Sequence, residues 1–155
     1  TNSMKGISNP LCYYIIDRFL MADLFDWSTF ALDYQGSGSS DRIEILKEGR
    51  QKKTKPTAQL SDYAGTYYSE MHGEVVIEEE DGNLTLEFIN SPSLDANLTH
   101  WHFDTWEIQW EETHAWFDFG LLQFQFDINH HVSGLHFDVP NYDIFFDEVD
   151  LVKTK

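Results

Sequence analysis

The stretch that decides the fold is residues 98–110, LTHWHFDTWEIQW. It reads as two consecutive β-strands with a break at Asp104-Thr105. In the first, Trp101 and Phe103 fall on one face and His100, His102 and Asp104 on the other. In the second, Trp106, Ile108 and Trp110 share a face, and Glu107, Gln109 and Glu111 the opposite one. Side chains alternate across a strand, so this pattern predicts a sheet with one buried side. Trp101, Phe103, Trp106, Ile108 and Trp110 are the residues expected to face inward. A large aromatic buries about 150–250 Å², so this cluster is expected to be the centre of a core.

The same period of two runs through the chain from Leu60 onward. Strands are expected at 64–70, 74–80, 83–89, 97–104, 105–112, 119–128, 132–139 and 143–152. Asp81-Gly82, between Ile77 and Leu84, is a hairpin signal. Ser133-Gly134 and Pro140-Asn141 punctuate the later strands. Further inward candidates are Tyr67, Val75, Ile77, Leu84, Leu86, Phe88, Leu122, Phe124, Phe126, Leu135, Phe137 and Val139. In the last strand the choice between Ile144/Phe146 and Phe145/Val149/Leu151 stays open. Eight short antiparallel strands predict an up-and-down barrel or a closed sandwich. An eight-stranded barrel holds either a packed core or one small ligand.

Upstream, the periodicity is helical. Asn9-Pro10 is a start signal, with Asn capping and proline in the first turn. Leu11, Ile15, Phe19 and Ala22 then predict a helix over 10–24. Asp26 is expected to cap a second, short helix through Trp27, Phe30 and Tyr34. The pair is apolar on more than one side and needs a surface to cover it: the barrel's outer wall or another copy. Residues 36–40, GSGSS, read as a linker. Asp41 and Glu44 fit a capping box, and a polar helix is expected over 41–53 with a Glu48–Lys52 pair. The expected organisation is a helical segment 1–35, a linker and polar helix 36–59, and a β-domain 60–155.

The 155 residues carry a net charge of −17, placed unevenly. Residues 1–59 hold 8 basic and 7 acidic side chains; residues 60–155 hold 2 and 20. Such a module repels phosphate backbones and anionic bilayers, so neither nucleic acid nor a membrane surface is an expected partner. No apolar run approaches the roughly 18 residues of a membrane span. Cys12 stands alone, which excludes an internal disulfide and zinc-finger spacing. The opening Thr1-Asn2-Ser3 reads as the start of a piece of a longer protein.

Four motifs in order carry a resemblance. Leu60-Ser61-Asp62-Tyr63-Ala64-Gly65-Thr66-Tyr67 resembles an opening L-x-x-Y-x-G-x-Y. Asp81-Gly82-Asn83-Leu84 with Leu86 resembles a D-G-x-L-x-L hairpin. His100-Trp101 with Asp104-Thr105-Trp106 resembles a His-Trp and Asp-Thr-aromatic strand pair. Asn9-Pro10-Leu11 to Leu20 with Asp26-Trp27 is similar to the end of a hydrolase domain and its connector. Together they resemble the C-terminal lipocalin-like domain, of undefined function, that follows serine β-lactamase-like hydrolases, relatives of penicillin-binding proteins and D-aminopeptidases. The resemblance implies a non-catalytic accessory domain of a bacterial, extracytoplasmic protein. Its implied partner is the upstream hydrolase domain, its implied roles are oligomerisation or shaping access to the neighbouring active site, and no cofactor is implied. An alternative is a lipocalin-like binder of a small apolar ligand.

The chemistry of such hydrolases needs a nucleophilic Ser with Lys three residues on, plus a Tyr-x-Asn element. No serine here has lysine at +3, and no tyrosine has asparagine at +2. No catalytic residue is therefore expected. For the ligand alternative, Trp101, Trp106, Trp110 and Phe124 would line the cavity. For a metal, His100, His102 and His136 are the candidates, with Glu107 or Asp138 as a third ligand. The simpler reading is rim or surface histidines beside acidic neighbours. Glu78-Glu79-Glu80-Asp81 lacks EF-hand spacing and reads as a solvated hairpin.

Overall fold

A computed structural model describes residues 7–35, 39–114, 117–141 and 144–154. Eight antiparallel strands close into a barrel in simple sequential order. They are β1 Gly65–Ser69, β2 Gly73–Glu80, β3 Asn83–Phe88, β4 Ala96–His102, β5 Thr105–Trp110, β6 Leu121–Phe126, β7 Val132–Asp138 and β8 Leu151–Lys153. Closure comes from β8, which pairs with β7 through Gly134↔Val152 and with β1 through Tyr68↔Val152. Four α-helices precede the barrel: α1 Ser8–Leu20, α2 Trp27–Gln35, α3 Ser39–Glu48 and the one-turn α4 Leu60–Tyr63.

The core follows from the period of two. Val75 and Ile77, Leu84 and Leu86, Trp106 and Ile108, Leu122 and Phe124, and Leu135 and Phe137 are buried at alternate positions. Asp81 and Gly82 take φ values of +52° and +81°, so both turn residues are left-handed, as a two-residue hairpin with twisted strands requires. Gly134 lies inside β7, within the expected strand 132–139; an added Cβ would sit 2.7 Å from the Leu151 carbonyl, so its bare backbone lets β8 approach. The final strand is only three residues long. Before it, a 3₁₀ turn at Phe146–Glu148 buries Phe146, then Val149 and Leu151 follow inward. Ile144 and Phe145 stay out. Asn141 braces this segment: its amide donates to the carbonyls of Val139 and Ile144, and its oxygen accepts the Ile144 N–H.

The decisive stretch turns out differently from its simple alternation. Its break is the turn at Phe103-Asp104, and β4 carries a register shift between His100 and His102. His100 pairs with Trp106 and His102 with Thr105, so Trp101 is the extra residue of a β-bulge. Ala96 and Leu98 are buried in the core, so His100 follows them inward, against the Trp106 ring at 5.5 Å between centroids, and the bulge then places His102 on the outer side with Thr105. Trp101 lies on the outer wall, and Phe103 is exposed at the turn. The expected inward placement of Trp101 and Phe103 is thereby corrected.

The helices also differ in detail. α1 begins at Ser8 and stops at Leu20, because Met21 goes left-handed and the Ala22 N–H closes back on the Asp17 carbonyl, a common helix-ending arrangement. Asp26 caps α2 as expected, accepting the Thr29 N–H and hydroxyl. The two helices meet through the Trp27 indole N–H on Asp17 and the Tyr13–Trp27 ring contact. Yet Leu11, Ile15, Phe19 and Phe30 remain exposed, so the barrel wall does not cover them within one chain. α3 starts at Ser39, ahead of the expected capping box, and ends at Glu48, short of Lys52. Residues 36–38 of the expected linker lie outside the described residues; Ser39 and Ser40 belong to α3.

Candidate functional site

The hairpin of β4 and β5 concentrates the polar chemistry of the barrel, and Asp104 is its hub. As the turn residue before β5, Asp104 projects its carboxylate back toward the chain that enters the barrel. One oxygen accepts the Thr57 N–H at 2.8 Å and the Tyr63 hydroxyl; the other accepts the Thr57 hydroxyl at 2.6 Å. The Tyr63 oxygen in turn accepts the Ala58 N–H, and Tyr67 donates its hydroxyl to the Tyr63 carbonyl. Both tyrosines are fully buried. Burial pushes the Tyr63 hydroxyl well above its ordinary range, and the bond to Asp104 raises it further. Burial, then the neighbouring Tyr63, does the same to Tyr67. A phenol held neutral as a donor to a carboxylate is a structural clasp. It joins the two motifs that stood apart in sequence, the Tyr63-x-Gly65 opening and Asp104-Thr105.

A second set of contacts straps residues 50–54 across the same hairpin. Arg50 lays its guanidinium over the Trp101 ring at 4.2 Å and donates to the carbonyls of Trp101 and His100. The Gln51 N–H donates to Nδ1 of His102, and the Phe103 N–H to Oγ1 of Thr54. His102 thus carries its proton on Nε2 when neutral. Burial, then the charges of Arg50 and His100, hold its pKa below the usual value. His100 donates from Nε2 to the Phe103 carbonyl. These histidines serve the hairpin's own hydrogen bonding. His136 lies on β7, opposite Gln123. Among the described residues, no three His, Cys, Asp or Glu side chains gather with metal-ligand geometry.

The four aromatic candidates fall in three places. Trp106 and Phe124 are in the barrel core, packed on each other and on Tyr63 at 4.7–4.9 Å between rings. Trp110 is half-buried beside His114, Phe117 and Phe146, and its indole nitrogen has no partner among the described residues. Trp101 is on the other side of the wall, in a separate cluster with Phe119 and Leu121 under Ile43 and Leu46 of α3. It cannot line an internal cavity. Trp116 lies outside the described residues.

Sequence reasoning missed Arg50, whose role needs the outer wall in place. It had Tyr63 and Asp104 within its motifs but not their pairing. The available signal was that a buried tyrosine hydroxyl needs an acceptor.

Residues 49–153 match DUF3471, a domain of unknown function. The chain belongs to that family. The match begins just before Arg50 and so takes in the strap and the clasp; α1 to α3 lie before it. No curated protein matches. Among solved structures, the C-terminal domain of penicillin binding protein Rv0907 aligns with a TM-score of 0.48 and 21% identity, over 67% of this chain and 96% of that one. In this DUF3471 domain the pair Tyr63 and Asp104 forms a structural clasp beside an aromatic core.

Proposed function

We propose that this chain is a non-catalytic accessory domain of a serine β-lactamase-like hydrolase, acting through protein contact. In this reading, residues 1–35 are the helical tail of the upstream hydrolase domain, 36–59 connect, and 60–155 form the accessory barrel. The observation that carries it is a contrast in burial. The barrel interior is filled by side chains from every strand, whereas α1 and α2 leave Leu11, Phe19, Leu20, Met21 and Phe30 uncovered. A helix pair that is apolar on several sides needs a protein partner. The motif resemblance names that partner as the hydrolase domain, and an extracytoplasmic location goes with it. Contact on this side would serve oligomerisation or shape access to the neighbouring active site. The missing Ser-x-x-Lys and Tyr-x-Asn support the absence of catalysis in the chain itself.

The test is hydrogen exchange of residues 8–35, in this chain alone and in the full protein with its upstream domain. Protection that appears only in the full protein supports the reading. Equal lack of protection in both would defeat it. Stoichiometric labelling of the isolated chain by a fluorescent penicillin would defeat the non-catalytic part.

A further inference from the structure

The outer wall of the barrel is covered by two neighbouring segments held in very different ways. Residues 50–58 are fixed by hydrogen bonds donated by Arg50, Gln51, Thr57 and Ala58 to the β4–β5 turn and to Tyr63, and by the Phe103 N–H, which donates to Thr54. α3, immediately before them, is held differently. It contributes the half-buried Ile43 and Leu46 to the Trp101–Phe119–Leu121 cluster. Among the described residues its polar ties to the barrel are one exposed ion pair, Arg42–Asp138 at 2.8 Å, and Lys47 over the Phe119 ring at 5.1 Å. Exposed pairs of this kind add little and are screened by salt. Ten residues are too few to hold a helix in water without packing, so undocking and melting are one event.

What α3 covers is unusual for an outer wall. Trp101, Phe119 and Leu121 are each at least nine-tenths buried there. The indole N–H of Trp101 is buried with no acceptor among the described residues. A docked cover that leaves a donor unsatisfied gives up part of what its apolar contact gains. A groove of about 310 Å³ also runs beneath it, between Leu46 and Gly49 on one side and Trp101, Thr105 and Gln123 on the other.

We propose that α3 is a releasable lid, turning about Gly49, over an aromatic seat on the barrel wall. The strap from Arg50 to Ala58 stays locked when the lid opens. Opening bares Phe119, Leu121 and the part of Trp101 that Arg50 leaves uncovered, beside Glu107 and Asp138. That surface is suited to an apolar segment with basic flanks, the pattern that Arg42, Ile43, Leu46 and Lys47 themselves present. The proposal concerns this wall alone and stands whether or not an upstream hydrolase covers α1 and α2.

The experiment is amide exchange and indole NMR on the whole chain. The α3 amides should exchange at least about a hundredfold faster than those of β4, β5 and the strap, reporting a local opening. Raising salt should speed α3 further and leave β5 unchanged. In Leu46→Asp, the Trp101 indole N–H should shift and exchange with water while that of Trp106 stays put. Arg42→Ala should do the same to a smaller extent, and Leu46→Met should leave the lid closed. Protection of α3 equal to that of β5 would overturn the proposal. So would a Leu46→Asp chain in which the Trp101 and Trp106 surroundings are lost together.

Discussion

Trp101 and Trp106 stand five residues apart in one hairpin and are almost equally buried, at 6% and 2% exposure. They are buried by different things. Trp106 is enclosed by the barrel's own strands and meets Tyr63 and Phe124 ring to ring. Trp101 is enclosed from outside, by α3 and by the Arg50 guanidinium. An inward residue is buried by closure of the barrel itself. An outward one is buried only if another segment comes to cover it. The two walls of one hairpin should therefore respond differently to the same damage.

The largest effect expected is on the inner wall. Trp106→Ala should cost on the order of 3–5 kcal/mol in urea or thermal unfolding, since the surrounding rings cannot collapse into the space. That is a large share of the roughly 5–15 kcal/mol typical of a domain. Trp101→Ala should cost about 2 kcal/mol, because α3 can settle or detach and leave the barrel standing. Equal losses would erase the distinction between the walls.

Alkali attacks the clasp that joins them. The folded-state pKa values of Tyr63 and Tyr67 stand above the ordinary tyrosine value of about 10, burial being the main cause. A raised pKa means that the stabilisation is whole below the unfolded pKa and is lost as pH rises through and above it. The barrel should thus hold to about pH 10 and lose stability beyond it, read by strand circular dichroism. Tyr63→Phe should remove part of that dependence. Ionisation of Tyr63 itself near pH 10 in a still-folded barrel, read from its own ring NMR signals, would contradict the buried clasp. Asp104→Ala breaks the same clasp at neutral pH and should cost about 2 kcal/mol, the range for hydrogen bonds to a charged group. Its mark would be faster exchange at residues 50–58.

His102 works in the opposite direction. Its pKa is lowered, so its contribution is whole above the unfolded value of about 6.5 and declines as pH falls below it. Loosening of residues 50–54 between pH 6.5 and 5, followed by exchange at Gln51, is the expected outcome. His102→Gln should flatten it.

These contrasts show where the sequence was legible. Seven of the eight strands came from alternation, and the Asp81-Gly82 hairpin from its turn chemistry, because period and turn type are local. The phase of β4 was misread, since the large rings of Trp101 and Phe103 outweighed Ala96 and Leu98, whose burial sets His100 inward and Trp101 outward; the bulge at Trp101 then turns His102 to the outer side. The last strand was overdrawn for a similar reason: Phe146, Val149 and Leu151 are inward in the fold but reach it through a 3₁₀ turn rather than a ladder. α3 looked polar because Ile43 and Leu46 are its only apolar side chains packed on the wall cluster among the described residues. Of the aromatic candidates, Trp106 and Phe124 lie in the barrel core and Trp101 on the outer wall. The Tyr63–Asp104 bond spans 41 residues and appears only once the barrel is closed.

The smallest effect belongs to the turn that switches one wall to the other. Phe103 sits there at φ +46° with its ring exposed. A left-handed backbone costs an ordinary residue about 1–2 kcal/mol, and glycine adopts it freely. Glycine also gives the unfolded chain more freedom, which takes back about 0.5–1 kcal/mol. Phe103→Gly should therefore be neutral or stabilising by at most about 1 kcal/mol, a rise of a few degrees in melting temperature. Phe103→Ala keeps the strain and loses only an exposed ring, so it should leave stability unchanged or slightly lower. The backbone bonds at this position, from the Phe103 N–H to Thr54 and from His100 to its carbonyl, survive both changes. A matching loss in both variants would mean that the ring, and not the turn, holds Trp101 and Trp106 on their opposite sides.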